Sequence, residues 1–383
     1  MAISNKKISA FLYNKEKMDQ MIFHIINSIR KLKKENCDAI IWKRWQHGPH
    51  IEVVISGSKK DTDDTINALH NAIDEFFKNV DIPQTESYEY YNELSKRVAI
   101  LENYQGSIFP LRKHLEIVVD TLNFNDIDTI FPIDTYINIE KLASHFICEA
   151  FPYYYNADEN EKNVFLSECM IILGNQQEKT ESFNGGIKYG YMTFQSHFQG
   201  FRSQIIGTKN EKLMLPLLES ENRDVVEELK KDMLFLTTSE TNKGLDEKAE
   251  LLNLWKNTVN DMLREYEAAI RSGNVKFGDS QKMTSFFDNN KGKLSNFHQS
   301  LEKHKNYMNF LESEFFLKHR FTVNEFYKML PVFGISPLRK HQFCKYVSDA
   351  VEEYFGQSYE EVIDKINFGY KSGKETTYNE IMA

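Results

Sequence analysis

Residues 42 to 55, Trp-Lys-Arg-Trp-Gln-His-Gly-Pro-His-Ile-Glu-Val-Val-Ile, limit what this chain can fold into more than any other stretch. Gly48 and Pro49 punctuate the backbone, because one tolerates conformations that other residues avoid and the other cannot donate a hydrogen bond. Directly afterwards Ile51, Val53 and Ile55 alternate around Glu52, the period-two pattern of a strand half-buried on a sheet. Ala39 to Trp45 reads as the partner strand. His50 is thereby placed at the mouth of the second strand, where functional groups tend to collect.

The surrounding residues extend this pair into a layer. Phe11 to Tyr13 reads as a short edge strand, and Ile108 to Val119 as an extended segment in which Leu115, Ile117 and Val119 alternate. Met18 to Lys34, Asp61 to Val80 and Tyr88 to Glu102 carry apolar residues at spacings of three and four and predict helices. Past Asp134 the pattern is helical: Ile139 to Phe151, Glu161 to Leu173, Tyr189 to Ile206, Glu211 to Phe235, Asp246 to Arg271, Gly292 to Lys318, Val323 to Leu330 and Pro337 to Phe355. The expected fold class is α+β, a mixed or antiparallel sheet layer in the N-terminal third followed by a largely helical body. The expected division is 1–134 for the sheet-containing part, 135–366 for the helical part and 367–383 for a flexible tail.

Composition removes several function classes. A net charge of −9 argues against a nucleic-acid binder. No run approaches the roughly 20 apolar residues of a membrane helix, and the polar, lysine-rich first residues do not resemble a signal peptide; a soluble, cytoplasmic protein without membrane contact is expected. Cys37, Cys148, Cys169 and Cys344 form no CxxC pair, which points to reduced, buried packing residues. There is no glycine-rich phosphate loop, GxSxG elbow or HExxH pair, so no cofactor and no metal are expected.

The second informative stretch runs from Tyr191 to Arg202. On a helix Thr193, His197 and either Gly200 or Phe201 share a face. A histidine flanked by hydroxyls and followed by an arginine combines a base with a carboxylate-binding cation. The same pattern fits a histidine satisfied between packed helices. Arg44, with Lys43, fits an anion-binding residue and equally an ordinary solvated strand charge; Arg112, which follows Pro110 and precedes Lys113 and His114, fits a solvated loop better than an anion site. Lys340 and His341 read as exposed helix residues.

Four segments taken in order resemble one family. They are Trp42 to Ile55; the Phe-Pro-Leu-Arg and alternating strand of Ile108 to Val119; Ser-His-Phe-Gln-Gly-Phe within Tyr191 to Arg202; and Leu330-Pro-Val-Phe-Gly-Ile-Ser-Pro-Leu-Arg339 running into Ala350 to Gly356. The set resembles the thiopeptide-type bacteriocin biosynthesis domain, the glutamate-elimination module that ends lantibiotic dehydratases and also exists as a stand-alone protein. The resemblance spans about residues 10 to 356.

It implies an α+β fold and work on a ribosomally made precursor peptide, by a carbon–oxygen lyase step that removes glutamate from glutamylated Ser or Thr. Two alternatives come with it: condensation of two dehydroalanines into a pyridine, and a non-catalytic peptide-binding subunit. The implied catalytic residues are His197, Arg202, Ser196 and Tyr191, and the implied substrate-binding residues are Arg44, His50 and Arg112. The implied partners are the precursor with its leader peptide, a separate glutamyl-transferring dehydratase subunit and a second copy of the chain as a homodimer. One departure stands out. In eliminating members the strand after Gly-Pro-His carries alternating arginines that receive the glutamyl group, and here those positions are Glu52 and Val54.

Overall fold

The computed structural model describes residues 3–32, 37–101, 104–176, 186–238, 246–275, 294–304 and 307–365. The expected tail, 367–383, lies outside them. The fold is α+β, as the patterning predicts: one four-stranded antiparallel sheet near the N-terminus, then helices. Two compact units are formed. One comprises Met1–Asp128, Glu140–Asn156 and Met329–Gly334; the other comprises Thr129–Ile139, Ala157–Lys328 and Ile335–Ala383.

In the first unit, β1 (Ile3–Phe11), α1 (Lys15–Leu32), β2 (Cys37–Arg44), β3 (His50–Ser58), α2 (Lys59–Asn79), α3 (Tyr88–Leu101) and β4 (Ile117–Thr121) follow in order. The sheet order is β2-β3-β1-β4. Phe11 therefore ends a central strand, not an edge strand as the sequence suggests. Its polar neighbours Ser4, Asn5, Lys6 and Lys7 hide the strand from a pattern search, yet they pair with β3 throughout.

Register then sorts the side chains. Ile8 stands opposite Val53, and Ala10 opposite Ile51; Ser9 stands opposite Glu52, and Phe11 opposite His50. One face carries Ile8, Ala10, Ile41, Ile51, Val53 and Ile55, with Lys6 and Lys43, while the other collects Lys7, Ser9, Trp42, Arg44, His50 and Glu52 beside Phe11, Ile40 and Val54. The apolar stripe of α1, Met18, Met21, Ile22, Ile25, Ile26 and Ile29, is buried, and α1 runs against α2.

The extended segment expected over Ile108 to Val119 is a strand only from Ile117. Leu115 sits at φ 62° in a turn closed by Glu116 N–H donating to the Lys113 carbonyl, so its apolar character does not join the alternation. Helix α4 (Ile133–Asn156) contributes Glu140 and Ser144 to this unit. Ser144 Oγ accepts the Ile41 N–H at 2.9 Å, and Trp42 Nε1 donates to Glu140 Oε2 at 2.6 Å. These bonds occupy backbone and side-chain groups of edge strand β2, which would otherwise be exposed to pairing with other chains. Phe333 packs on Phe151 and Tyr154, which explains why residues 329–334 cluster with this unit.

The second unit is helical: α5 (Glu159–Asn175), α6 (Ile187–Gly190), α7 (Met192–Ile205), α8 (Glu211–Leu218), α9 (Arg223–Thr237), α10 (Glu247–Arg271), α11 (Asn296–Glu302), α12 (Tyr307–Leu311), α13 (Glu314–Met329), α14 (Pro337–Phe355) and α15 (Tyr359–Lys365). Three expected helices are subdivided. Glu211 to Phe235 breaks after Leu218, where Asn222 accepts the Val225 N–H and starts a new helix. Tyr189 to Ile206 breaks at Tyr191. Within Gly292 to Lys318, Ser295 caps a short helix; residues 292–293 and 305–306 lie outside the description.

Helix α5 is buried nearly all round, from Asn163 to Gly174, as expected of a central helix. Lys248 on α10 ties it in place, reaching Glu168 at 2.7 Å and Asp232 of α9 at 3.3 Å. Trp255 Nε1 donates to the Cys169 carbonyl at 2.8 Å. Cys148, Cys169 and Cys344 are buried and in no disulfide; the side chain of Cys37 is not among those described. No described helix is long and apolar enough to cross a membrane.

Candidate functional site

Two glycines fix where the Tyr191-to-Arg202 segment lies. A Cβ on Gly190 would stand 1.9 Å from the Gly174 carbonyl oxygen, and one on Gly174 would stand 2.9 Å from Ile187 and 3.1 Å from Phe194. Only bare backbone allows α6 to come this close to α5. Tyr191 follows at once, and α7 leaves from there.

The face expected to carry Thr193, His197 and Phe201 lies against α13 and α14. Thr193 Oγ1 is 3.2 Å from His319 Nε2. The His197 ring stands edge-on to Tyr327, with centroids 5.1 Å apart. Phe201 stacks flat on His341, with centroids 4.0 Å apart and planes 3° apart. One row further round the helix, Ser196 Oγ is 2.9 Å from His298 Nε2 on α11, and Ser295 Oγ is 2.7 Å from His298 Nδ1.

The α7 segment thus meets three further histidines, His298, His319 and His341, none of them nominated by the sequence reading. All three are buried. Lys340 and His341 are not the exposed pair the sequence suggests. Ser336 and Pro337 start α14 so that His341 turns inward, where its Nδ1 meets the Pro337 carbonyl at 2.6 Å. Lys340 lies over the Tyr327 ring, its Nζ 4.5 Å from the centroid. A sequence signal existed in the i, i+4 spacing of Lys340 and Cys344, which both meet Tyr327, but a four-residue spacing is too common to be specific. His298 gave no signal at all, since its partner lies 102 positions away.

Burial sets the protonation of the cluster. It pushes His298, His319 and His341 down to about 4. His197 keeps some solvent contact, yet crowding by protein, reinforced by Lys340, His341, His298 and Arg320, lowers it to about 3. All four are neutral imidazoles at pH 7, each with one N–H and one lone pair. Burial also lowers Lys340 and Arg320 and raises the Cys344 thiol to about 11, which makes it a poor nucleophile. Among the described residues no group of three or more His, Cys, Asp or Glu is placed to hold a metal ion.

The remaining candidates on α7 point elsewhere. Arg202 Nε donates to Glu219 Oε1 at 2.5 Å, so its charge is already met by a carboxylate. Tyr191 is buried beside Glu352, and neither Tyr191 Oη nor Glu352 Oε1 completes a hydrogen bond of good geometry.

In the first unit, Arg44 and His50 come together around Glu52. Glu52 is buried, at 8% exposure. It receives Lys7 Nζ at 3.1 Å and Ser9 Oγ at 3.4 Å, with Arg44 Nε at 3.9 Å and His50 Nε2 at 4.0 Å. The Arg44 guanidinium lies 4.3 Å from the Trp42 ring centroid. His50 is held by the Gly48 carbonyl at 2.9 Å, and burial lowers it to about 4. The cations of this face therefore surround a carboxylate supplied by the chain itself.

Arg112 belongs to a different arrangement. Its backbone N–H donates to the His47 carbonyl at 2.7 Å, its carbonyl accepts from Tyr13 Oη at 2.9 Å, and its guanidinium meets Glu116 at 3.2 Å in an exposed pair. Its backbone thereby holds the turn in which His47 adopts φ 60°.

No family model matches the chain, and no curated protein does. Solved structures do. A structure described as the pyridine synthase TbtD from thiomuracin biosynthesis superposes with a TM-score of 0.63 at 14% identity, covering 92% of this chain and 99% of the other. TsrL superposes with a TM-score of 0.62 at 10% identity, covering 96% of this chain and 99% of its own. At these identities the shared property is the fold, over nearly the full length of both.

Proposed function

We propose that this protein modifies a ribosomally made peptide by joining two dehydroalanines into a pyridine ring. The observation that carries the reading is the state of His197. Elimination of glutamate needs a base for an α-proton, and a base works best when its pKa lies near the operating pH. An imidazole lowered to about 3 is a weak base, and Arg202, the cation expected to hold the leaving carboxylate, is paired with Glu219. Glu52 stands where an eliminating relative carries an arginine, and it already gathers Lys7 and Arg44.

Ring formation makes different demands. Two alkenes must be held in register. The amide that supplies the ring nitrogen must shift its proton from nitrogen to its carbonyl oxygen, which needs a donor and an acceptor but no ionised base; the six-membered adduct then becomes a pyridine by losing that oxygen as water and the amide nitrogen of the second dehydroalanine, with the N-terminal part of the peptide, as a carboxamide. A neutral His197 offers both functions, and Ser196 adds a hydroxyl on the same segment. The likeness in fold to a pyridine synthase supports the reading. A second reading, glutamate elimination, draws support from Lys340 and Arg320, two cations close enough to act on His197.

The test is a leader-attached peptide bearing two dehydroalanines, incubated with the purified protein and followed by mass spectrometry and ultraviolet absorption. Appearance of a pyridine is expected. A parallel peptide carrying glutamyl-serine should come through unchanged; loss of its glutamate, with no ring formed from the first peptide, overturns the proposal.

A further inference from the structure

Among the described residues no carboxylate meets the Lys340 ammonium. It lies over the Tyr327 ring, 4.5 Å from the centroid. The neighbour that could oppose its charge, the Cys344 thiol, is raised by burial to about 11 and stays neutral at pH 7. Burial lowers Lys340 itself, as expected of a cation that has lost water without gaining an anion. The ring beneath it is held from two sides. Tyr327 Oη is 3.5 Å from Cys344 Sγ, one turn along α14 from Lys340, and the His197 ring meets Tyr327 at 83° with centroids 5.1 Å apart. Crowding, and then the charge of Lys340, lower His197, so ammonium and imidazole are within electrostatic reach of each other. His197, Tyr327 and Lys340 all keep solvent contact, although protein surrounds them. Residues both surrounded and wetted line a recess. A half-buried charge is costly unless it is paired, and a ring face compensates for it less than a carboxylate does.

We propose that His197, Tyr327 and Lys340 line an oxyanion-binding recess in which the Lys340 ammonium donates to a peptide oxygen that gathers negative charge. Which oxygen this is rests on the function proposed above: the amide oxygen that leaves as water. In that step the carbon–oxygen bond breaks with its electron pair staying on oxygen, while the ring nitrogen closes a C=N bond and gives up its hydrogen to complete the water. An ammonium already in place meets the charge on the departing oxygen without reorganising. Tyr327 positions the ammonium, and His197, being neutral, leaves the charge of the recess to Lys340. The carboxylate of a glutamyl group is the same chemistry from a second source.

The experiment uses the full chain and two variants. Lys340→Met removes the charge and keeps the stem; Lys340→Arg keeps the charge. The Tm of Lys340→Met should equal or exceed that of the wild type, because an unpaired half-buried charge does not stabilise the fold. A Tm several degrees lower means that the ammonium has a structural partner, and overturns the proposal. Sodium formate, compared with sodium chloride at the same ionic strength, should raise the Tm of the wild type more than that of Lys340→Met; equal responses overturn the proposal. With the peptide bearing two dehydroalanines, Lys340→Met should lower kcat roughly a hundredfold with KM nearly unchanged, and Lys340→Arg should retain more of the rate; an unchanged kcat overturns the assignment to the amide oxygen. If the wild type forms no pyridine but removes glutamate, and Lys340→Met does not, the functional reading fails and the oxyanion is the glutamyl carboxylate. If it acts on neither peptide, the Tm and formate responses still decide whether the recess takes an oxyanion.

Discussion

Replacing Glu352 with glutamine probes how α14 is held against α7. The carboxyl of Glu352 has one buried oxygen without a hydrogen bond of good geometry. Burial is the main reason its pKa rises from 4.5 to about 7; Asp349 and Glu360 push in the same direction, while the Tyr359 backbone and the Tyr191 hydroxyl oppose it. Over the range between those two values the folded protein keeps a proton that the unfolded chain has released. The stability this provides is complete below about pH 4.5 and is lost as pH rises through about 7. At about 1.4 kcal/mol per pKa step the full effect is roughly 3.4 kcal/mol; the carboxyl keeps part of its solvent contact, and screening reduces this to roughly 2 kcal/mol.

Glutamine does not titrate, so the difference between wild type and Glu352→Gln isolates this group from every other. Thermal unfolding followed by circular dichroism at pH 4.5, 5.5, 6.5 and 7.5 reads the difference. Wild type should lose roughly 2–3 °C in Tm relative to the variant across that range, at about 1.2 °C per kcal/mol for an unfolding entropy of about 2.1 cal/mol/K per residue over 383 residues. A difference that stays constant with pH refutes the argument, because it means that the carboxyl ionises alike in the folded and unfolded chain.

Lys248→Met leaves Glu168, which has no solvent exposure, without its ammonium partner. Burial already raises Glu168 to about 8, so near pH 7 it is left as a neutral acid short of a hydrogen-bond partner; a loss of about 2 kcal/mol in urea denaturation is expected, and an unchanged stability counts against the pairing. Gly190→Ala drives a methyl into the Gly174 carbonyl at 1.9 Å and should cost about 3 kcal/mol or more. Gly207→Ala, at φ 80° with nothing within 4 Å, should cost only about 1 kcal/mol from backbone strain. Comparable Tm losses for the two refute the close-approach argument.

The local rules were legible in the sequence wherever a single element carried them. The Gly48-Pro49 break, the alternation of Ile51, Val53 and Ile55, and the three-and-four spacing of Met21 to Ile29 depend only on backbone chemistry and side-chain period, and they yielded strands, helices and the α+β class. The shared face of Thr193, His197 and Phe201 follows from 3.6 residues per turn. Contacts between distant segments were not legible. That Phe11 ends a central strand depends on β3 and β4 both choosing β1, and the lysines and serines of β1 carry no apolar signal for it. That Arg202 meets Glu219, that Glu52 gathers Lys7 and Arg44, and that Ser196 meets His298 across 102 positions are decided by packing. The same packing crowds His197 and buries its neighbours His298, His319 and His341, so their charge is a property of the folded protein. Sequence determines which groups are available and how each element presents them; only the tertiary structure determines which of them meet, and in what protonation state.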